Sequence, residues 1–331
     1  MTTSFSSRSA WLPALVLGVL VAFPLVGGKY EVDPVAKILV LAVFALSLEL
    51  LVGQTGLVSF GHAAFFGLGA YTTALLLQEP DPRSFWLVLA AAMVVAAIYA
   101  LPVAALSLRT RGVYFIMVTL AFAQLVYYVF HDTKIAKGSD GIYLTGVPEF
   151  SLAGWVPFDV TKALPFYYVS LGVLCLVYAL LAALGRSRFG RALAGIRVNE
   201  QRMRAAGFAT YPYKIAAFVL AAMLAGLAGF LKATKDGYVN PEMLAWNESG
   251  AVLLMIILGG LGKLRGAVLG AFAFVLLQEF FKNDAVFGEF AKRWQLLLGF
   301  TIIVCVLFLP HGLIGLPARL RRRGQHGQHD G

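Results

Sequence analysis

Ten long apolar segments, separated by short charged loops, restrict what this chain can fold into. They cover residues 11–27, 34–52, 55–77, 85–107, 112–130, 165–184, 214–233, 249–261, 266–282 and 294–311. A helix of about 20 apolar residues crosses the hydrocarbon core of a bilayer, and a soluble core in so short a chain cannot bury this many such helices. The segments are continuously apolar rather than alternating, which excludes a transmembrane β-barrel.

The composition also indicates a membrane protein. Of 331 residues, 60% are hydrophobic and 13% are charged, whereas a soluble domain is about half apolar and a quarter charged. The net charge of +10 would suggest a nucleic-acid partner if it lay on a soluble domain. Here the basic residues lie in a few loops beside apolar segments, which indicates membrane topology instead. We therefore expect a lipid bilayer around the chain and no nucleic-acid partner.

These segments predict an all-α fold, a polytopic transmembrane helix bundle of eight to ten spans with glycine-broken helices. The third segment, 55–77, and the eighth, 249–261, are the weakest spans because glycine interrupts them or because they are short. Each is a candidate half-span or re-entrant segment. The chain as a whole, residues 1–331, is expected to form a single transmembrane domain.

The basic loops predict the orientation. The segment after the sixth run is rich in arginine and carries one acid, Glu200, and four arginines follow the tenth run at residues 319–323. Such loops stay in the cytoplasm by the positive-inside rule. Ten spans with both termini inside satisfy this rule for every loop, and they place 78–84, 131–164, 234–248 and 283–293 outside. The polar end, residues 324–331, is expected to be a disordered cytoplasmic tail.

Two glycine-rich stretches, 52–69 and 258–270, interrupt apolar segments in the two halves of the chain. Irregular backbone inside a bilayer is tolerated only where protein or a water-filled cavity surrounds it, and paired broken segments are typical of a transport pathway at a repeat interface. The alternative is close helix packing through small residues. The candidate pathway residues are Glu49, Gly53, Gly56, Ser59, Gly61, His62, Gly259, Gly260 and Gly262.

Two of these candidates are ionisable. Glu49 lies inside an apolar segment, where a carboxylate is costly and usually faces the bundle interior or a cavity. It is therefore either a pathway or gating residue, or a residue near the cytoplasmic interface, where its charge costs little. His62 is either a polar group lining the pathway or a histidine packed between helices.

The basic loop 185–213 contains a predicted helix over residues 191–206, which Gly207 can end. Apolar residues recur near helical spacing with basic residues between them. Such a helix could lie flat on anionic lipid or dock into a groove of a soluble partner. Composition does not distinguish these two alternatives.

Several motifs, in order along nearly the whole chain, resemble the permeases of branched-chain amino-acid ABC importers. The first is Gly53-Gln54-Thr55-Gly56-Leu57-Val58-Ser59-Phe60-Gly61-His62, continuing to Tyr71. Others are Arg111-Gly112-Val113-Tyr114-Phe115, Gly190-Arg191-Ala192-Leu193, Ile196-Arg197, Asn199-Glu200, Ala205-Ala206-Gly207, Leu258-Gly259-Gly260-Leu261-Gly262 and Pro310-His311-Gly312-Leu313. The resemblance is closer to the LivM type of permease than to the LivH type.

This resemblance implies a permease domain in a bacterial inner membrane and a set of partners. A second permease would complete the channel, two cytoplasmic ATP-binding subunits would drive it, and a periplasmic binding protein would deliver the substrate. Within the cytoplasmic coupling loop 185–213, the ATPase contact would use Arg197, Glu200, Ala205, Ala206 and Gly207. The chain itself would not be an enzyme, since it lacks a Gly-Lys-Ser or Gly-Lys-Thr phosphate loop, and no cofactor or metal is expected.

The sequence departs from the family pattern in two places. Glu49 stands where the family often has an amide or a small polar residue, and Gln201-Arg202-Met203-Arg204 replaces smaller or more acidic residues.

Other functions remain as alternatives. A secondary transporter or channel would need a coupling group in the membrane, for which Glu49 is the candidate, and a membrane enzyme would need clustered acids or histidines. Related importers carry urea, amides or aromatic acids, because the binding protein usually sets specificity.

Overall fold

The computed structural model describes residues 11–26, 29–79, 83–133, 136–146, 148–150, 162–309 and 312–315. Thirteen α-helices account for most of this part of the chain. They are α1 (Trp11–Val26), α2 (Lys29–Glu49), α3 (His62–Leu76), α4 (Phe85–Ser107), α5 (Val113–Asp132), α6 (Ala163–Arg186), α7 (Arg188–Val198), α8 (Glu200–Ala205), α9 (Thr210–Asp236), α10 (Trp246–Gly259), α11 (Leu264–Phe281), α12 (Asp284–Phe287) and α13 (Trp294–Phe308).

Short elements complete the described part. A π-helix covers Leu50–Thr55, and 3-10 turns cover Gly138–Asp140, Pro241–Leu244, Gly288–Arg293 and Leu313–Gly315. The four strands, each of two residues, are β1 (Arg83–Ser84), β2 (Ile142–Tyr143), β3 (Pro148–Glu149) and β4 (Tyr238–Val239). The predicted all-α membrane bundle is confirmed.

Seven segments of the described chain are long and apolar enough to cross a membrane. They are Glu31–Thr55, Phe85–Ser107, Val113–Asp132, Ala163–Arg186, Thr210–Asp236, Leu264–Phe281 and Asp284–Gly315. The other three predicted runs form the shorter helices α1, α3 and α10, of 16, 15 and 14 residues. Two of these are the third and eighth runs, for which glycine interruptions predicted weak or partial spans. The tail 324–331 lies outside the described residues.

The helix α2 forms the centre of the bundle. Residues 38–53 are all buried, and α2 packs against α6, α9, α10 and α11. A helix that is hydrophobic on every side is typical of a position buried among neighbouring helices. The polar residues that α2 carries are therefore held inside the protein.

Glycine allows two helices to cross closely beside α2. A methyl group added at Gly69 of α3 would lie 2.6 Å from the Cα of Gly226 on α9, and one at Gly229 would lie 2.9 Å from the backbone nitrogen of Ala70. No side chain fits at either position without moving a backbone. Small residues of this kind let transmembrane helices approach closely and gain van der Waals contact.

The loops separate to the two ends of the bundle. One end, here called the basic end, comprises the loop 185–213 and the links 108–112 and 260–264, which surround the π-helix. At the other end, here called the strand end, β1 pairs with β3 in parallel and β2 pairs with β4 antiparallel. Asp33 lies 3.9 Å from Lys235 at the strand end. The described parts of loops 78–84, 131–164 and 234–248, which charge assigned to one side of the membrane, therefore lie at one end of the structure.

The single helix predicted over residues 191–206 is wrong. The structure has two helices, α7 and α8, separated at Asn199, whose backbone is extended with φ −158° and ψ 99°. The Asn199 side-chain oxygen accepts a hydrogen bond of 2.9 Å from the backbone N–H of Arg202, and asparagine is a preferred residue at a helix start for this reason. Gly207, with φ +86°, follows the end of α8 as predicted.

Candidate functional site

The first glycine-rich stretch breaks the central helix. The chain leaves α2 through the π-helix Leu50–Thr55, and Gly56 ends it in the left-handed conformation with φ +74°. The backbone N–H of Gly56 bonds to the Val52 carbonyl at 3.2 Å, and residues 56–61 are then irregular until α3 begins at His62. Insertions of π-helix in α-helices occur frequently at functional sites. The predicted break is therefore real, and Gly56 has the conformation that favours glycine.

Serine hydroxyl groups accept hydrogen bonds from backbone N–H groups at the start of α3. The N–H of Gly61 donates to the Ser59 hydroxyl at 3.2 Å, and the N–H of Ala63 donates to the Ser249 hydroxyl of α10 at 2.8 Å. Both serines are fully buried. The first N–H groups of a helix have no partner within the helix, so Ser249 joins the start of α3 to the short helix α10.

His62 is completely buried and hydrogen-bonded. Its Nε2 lies 2.8 Å from the Ser47 hydroxyl oxygen, and that hydroxyl lies 2.7 Å from the Phe44 carbonyl, to which it donates its only proton. The ring therefore donates to Ser47 from Nε2, and its Nδ1 has no hydrogen-bond partner among the described residues. It stacks on Phe44 with a ring-centroid distance of 5.6 Å. This geometry corresponds to the packed-histidine interpretation.

The last turn of α7 contacts the broken helix through Arg197. Its guanidinium donates a hydrogen bond from Nη1 to the Gly53 carbonyl of the π-helix. A methyl group added at Gly56 would lie 3.4 Å from the Arg197 Cγ, and one added at Gly262 would lie 3.6 Å from the Nη1. Arg197 therefore bridges the basic loop, the π-helix and the second glycine-rich stretch.

Glu49 lies at the same junction and is buried, with 2% of its surface exposed. The backbone N–H groups of Gly262 and Lys263 face its carboxyl group, and Arg197 is a nearby cation. Its Oε2 has no hydrogen-bond partner among the described residues. A methyl group at Gly53 would lie 2.8 Å from the Glu49 carboxyl carbon and 3.3 Å from the Gly262 Cα. The two glycine-rich stretches therefore meet at this carboxyl group.

A second polar cluster fixes the start of α8 to α9. The Lys214 ammonium lies 2.9 Å from both carboxylate oxygens of Glu200, Arg204 donates to Oε1 at 2.6 Å, and the Thr210 hydroxyl donates to Oε1 at 3.0 Å. Burial alone would raise the pKa of Glu200, but the hydrogen bonds from Lys214 and Thr210 and the Lys214 charge outweigh it and lower this pKa to about 2. Glu200 is therefore ionised and holds α8 in place.

A cavity of about 350 Å³ lies between this cluster and the helix break. Its walls include Glu200 and Lys214 on one side and Gly56 on the other, with Arg111 from the link before α5. Residues of the basic loop and of the broken helix thus line one shared space at the basic end. Within the described ranges, no three His, Cys, Asp or Glu side chains come together as a metal site would require.

The segment after this cluster is exposed. Residues 204–209 all face solvent, and they include Ala205, Ala206 and Gly207. Two apolar side chains flank α8 on the surface, Val198 at 84% and Phe208 at 41% exposure. Exposed apolar residues beside polar ones often mark an interaction surface.

The structure brings only some of the sequence-predicted residues together. Glu49, Gly53, Gly56, Gly262 and Arg197 form one junction. Ser59, Gly61 and His62 lie at the start of α3, and Gly259 packs against Gly266 and Gly270 of α11.

Sequence reasoning missed Ser47 and Ser249. The spacing along α2 could have revealed Ser47, which lies three residues after Phe44 and therefore on the same helix face.

Comparisons with known proteins agree with this architecture. A family model described as branched-chain amino acid transport system / permease component matches residues 33–307. The chain is 31% identical over 326 residues to the high-affinity branched-chain amino acid transport system permease protein LivM of Salmonella typhimurium, a match that covers 93% of this chain and 75% of that protein. No solved structure matches the chain.

More distant relatives include both permease types. The chain is 24% identical to the probable branched-chain amino acid transport permease protein LivM of Methanocaldococcus jannaschii, over 82% of this chain and 89% of that protein. It is 21% identical to the high-affinity permease protein LivH of Escherichia coli K12, over 83% of this chain and 91% of that protein. The predicted closer resemblance to the LivM type is confirmed.

Proposed function

The chain belongs to the family of branched-chain amino acid transport permease components, and from that membership we propose what it does. It is one of the two permease subunits of an ATP-driven bacterial ABC importer, and it forms half of the channel for leucine, isoleucine and valine. The observation that carries this proposal is the family match over residues 33–307 together with seven membrane-crossing segments. Hydrolysis of ATP belongs to partner subunits.

The relatives support a second permease as partner. Escherichia coli K12 has both a LivM and a LivH permease protein named for high-affinity branched-chain amino acid transport, and this chain is similar to both. In the proposed importer, a LivH-type subunit completes the channel. Two cytoplasmic ATP-binding subunits and a periplasmic substrate-binding protein complete the assembly.

The exposed segment around α8 is the proposed contact with an ATP-binding subunit. Ala205, Ala206 and Gly207 offer small, exposed residues, and Val198 and Phe208 add apolar surface. A helix that presents such residues can dock into a groove of a soluble partner. The Glu200 cluster, rigid and ionised, would transmit a displacement of this segment to α9 through Lys214.

Arg197 is the proposed link between that contact and the channel. It leaves the basic loop and bonds to the Gly53 carbonyl, within the junction that holds Glu49 and Gly262. Movement of α7 would pull on the π-helix, where the central helix is already broken. We propose this junction as the inner gate of the pathway. Conformational changes in proteins commonly switch a packed interface between two discrete arrangements, and this junction is such a packed interface.

The proposed orientation puts the basic end in the cytoplasm, with both termini on that side. In a variant lacking Cys175 and Cys305, Val198→Cys and Tyr143→Cys would each present one exposed thiol, at the basic end and at the strand end. A membrane-impermeant maleimide should label Tyr143→Cys in spheroplasts and Val198→Cys only in inside-out vesicles. The reverse pattern would overturn the orientation.

Purification and transport together test the importer. The tagged chain, extracted from its native membrane in mild detergent, should retain a second permease and two ATP-binding subunits, and vesicles holding this complex should accumulate leucine only with ATP and binding protein. Recovery of the chain alone would favour a secondary transporter. A binding protein that carries urea, an amide or an aromatic acid would replace the proposed substrate and keep the importer.

A further inference from the structure

The cavity at the basic end is lined by both charged and apolar groups. Its volume of about 350 Å³ is within the range of about 300–1,000 Å³ that is typical of small-ligand pockets. Thr110 and Arg111, from the link before α5, supply polar groups, and Leu57, Val113 and Ile116 are among the apolar residues of its walls. Such a cavity suits a ligand that combines a polar group with an apolar chain.

Hydrogen bonds and an ion pair hold the walls of this cavity in place. The Tyr211 hydroxyl, near the start of α9, donates to the Ala105 carbonyl at 2.7 Å and so joins α9 to the end of α4. Lys214 on the same helix pairs with Glu200, the first residue of α8. The cavity is therefore preformed, and a ligand can bind there without first ordering a loop.

The charged groups of the cavity leave one positive charge unbalanced. Lys214 and Glu200 neutralise each other in their ion pair of 2.9 Å. Arg111 is exposed and takes part in none of the ion pairs of the described residues. The first turn of α5, which follows it, contains no acid. The cavity therefore favours an anion, and a guanidinium group binds two oxygens of a phosphate at once.

The cavity reaches the lipid-facing surface of the protein at the start of α5. The segment Val113–Asp132 is long and apolar enough to cross a membrane. Val113 lines the cavity and is 68% exposed, and Tyr114 and Met117 on the same side of the helix are exposed as well. Tyrosine is enriched at the membrane–water interface, where lipid headgroups lie. One wall of the cavity is therefore continuous with a surface that contacts lipid.

We propose that this cavity binds the headgroup of one anionic phospholipid, with its phosphate on the Arg111 guanidinium and an acyl chain along Val113 and Met117. A soluble phosphate would gain the contact with Arg111 but would leave the exposed apolar start of α5 uncovered. The bound headgroup lies between the Glu200 cluster and the broken helix, because Glu200 and Gly56 line the same cavity. Binding of this lipid does not depend on which solute the permease carries.

Photo-cross-linking tests this site on the protein purified from its native membrane with the subunits that it retains. The probe is a phosphatidylglycerol with a photoactivatable diazirine in one acyl chain, and mass spectrometry of peptides locates the label. Unlabelled phosphatidylglycerol, phosphatidylcholine and glycerol phosphate serve as competitors. Arg111→Gln removes the charge from the cavity, and Arg111→Lys keeps it. The matched control Arg109→Gln removes an exposed charge from the same link, outside the cavity walls. Size-exclusion elution checks that each variant is folded.

We expect the label at residues 113–117, displaced by unlabelled phosphatidylglycerol but not by phosphatidylcholine or glycerol phosphate. Arg111→Gln should lower this labelling by about fivefold, the loss expected for one basic residue beside an anionic lipid, whereas Arg111→Lys and Arg109→Gln should stay within about twofold of the wild type.

Three results would overturn the lipid site. Folded wild-type protein without label at residues 113–117 would show that the cavity binds no such lipid. Equal displacement by glycerol phosphate would assign the cavity to a soluble anion instead. Equal losses in Arg111→Gln and Arg109→Gln would show a general attraction to the basic surface rather than a site at Arg111.

Discussion

Charged side chains at the two ends of the bundle differ in their hydrogen-bond and ion-pair partners. At the basic end, Arg197 bonds to a backbone carbonyl, and Glu200 accepts from a lysine, an arginine and a threonine. Towards the strand end, Lys37 and Glu248 are half-buried and unpaired among the described residues. The first arrangement is satisfied by partners within the chain, whereas neither residue of the second forms a close ion pair among the described residues. The difference shows that hydrogen bonds and ion pairs fix the charged side chains at the basic end, whereas no ion pair among the described residues fixes these two side chains towards the strand end.

Glycine accounts for the closure of the basic end. The Glu49 carboxyl, the π-helix and the link after α10 can meet because Gly53 lacks a side chain. Gly262 in that link has a φ of +82°, a conformation that favours glycine. The strand end depends instead on short strand pairs and a rim ion pair. Substitutions at the two ends should therefore have effects of different size and kind.

The largest effect is expected where glycine permits helix contact at the basic end. In Gly259→Ala the new methyl group would meet the Gly266 carbonyl and lie 2.8 Å from the Gly270 nitrogen, so we expect a loss of about 3 kcal/mol or more in stability. Gly172→Ala, with open space at the same position, should be neutral or stabilising by up to about 1 kcal/mol. Fluorescence-detected size exclusion after heating measures both, and equal melting temperatures would contradict the prediction.

The next largest effect concerns the link from loop to channel. Arg197→Ala should lower ATP-dependent leucine uptake by about tenfold or more, because α7 would no longer hold the Gly53 carbonyl. Arg191→Ala, an exposed arginine on the same helix, is the matched control and should transport normally. Assembly with the ATP-binding subunits should be unchanged in both. A similar loss in the two variants would indicate only a general need for positive charge.

Glu49→Gln sharpens the assignment of the junction. The amide keeps the shape but cannot carry a negative charge next to Arg197, so we expect uptake to fall several-fold with folded yield unchanged. In a double-mutant cycle with Arg197→Gln, the two losses should couple by about 1 kcal/mol or more, as expected for residues of one network. Normal transport by Glu49→Gln would remove this residue from the gate.

A pH-dependent effect is expected for the Glu200 cluster. Because the native pKa of Glu200 is lowered to about 2 from an ordinary 4.5, its stabilising contribution is complete above about pH 4.5 and is lost as the pH falls towards 2. Glu200→Gln should therefore melt at a lower temperature than the wild type at pH 7. This difference in melting temperature should become smaller as the pH falls below 4.5. A difference that does not change down to pH 3 would disagree with this assignment.

The smallest effect is expected at the rim of the strand end. Asp33 is 62% exposed and 3.9 Å from Lys235, and exposed pairs of this kind contribute at most about 1 kcal/mol. Asp33→Asn should change the melting temperature little at low salt and not at all at high salt. A large, salt-independent loss would show that the strand end is held by charge as firmly as the basic end.

Periodicity and composition predicted most of the fold. The ten apolar runs correspond to ten helices, and α4 begins and ends at the predicted residues. The glycine pattern also predicted the break after α2. The loop helix was predicted as one because apolar spacing continues across Asn199, and only the cap formed by its side chain divides it. Spacing reports which face is apolar, but a local hydrogen bond decides where a helix restarts.

By itself the sequence determined a polytopic helical membrane protein, its glycine breaks and its basic loop, because these follow from local composition and repeat length. Only the tertiary structure decided that Gly53 meets Gly262, that Arg197 reaches the π-helix, and that Ser249 bonds to the start of α3. These residues are far apart in the chain, and which of them come together depends on how buried helices pack. Local hydrophobicity specifies which segments are buried, whereas close packing between helices selects which polar groups share one space.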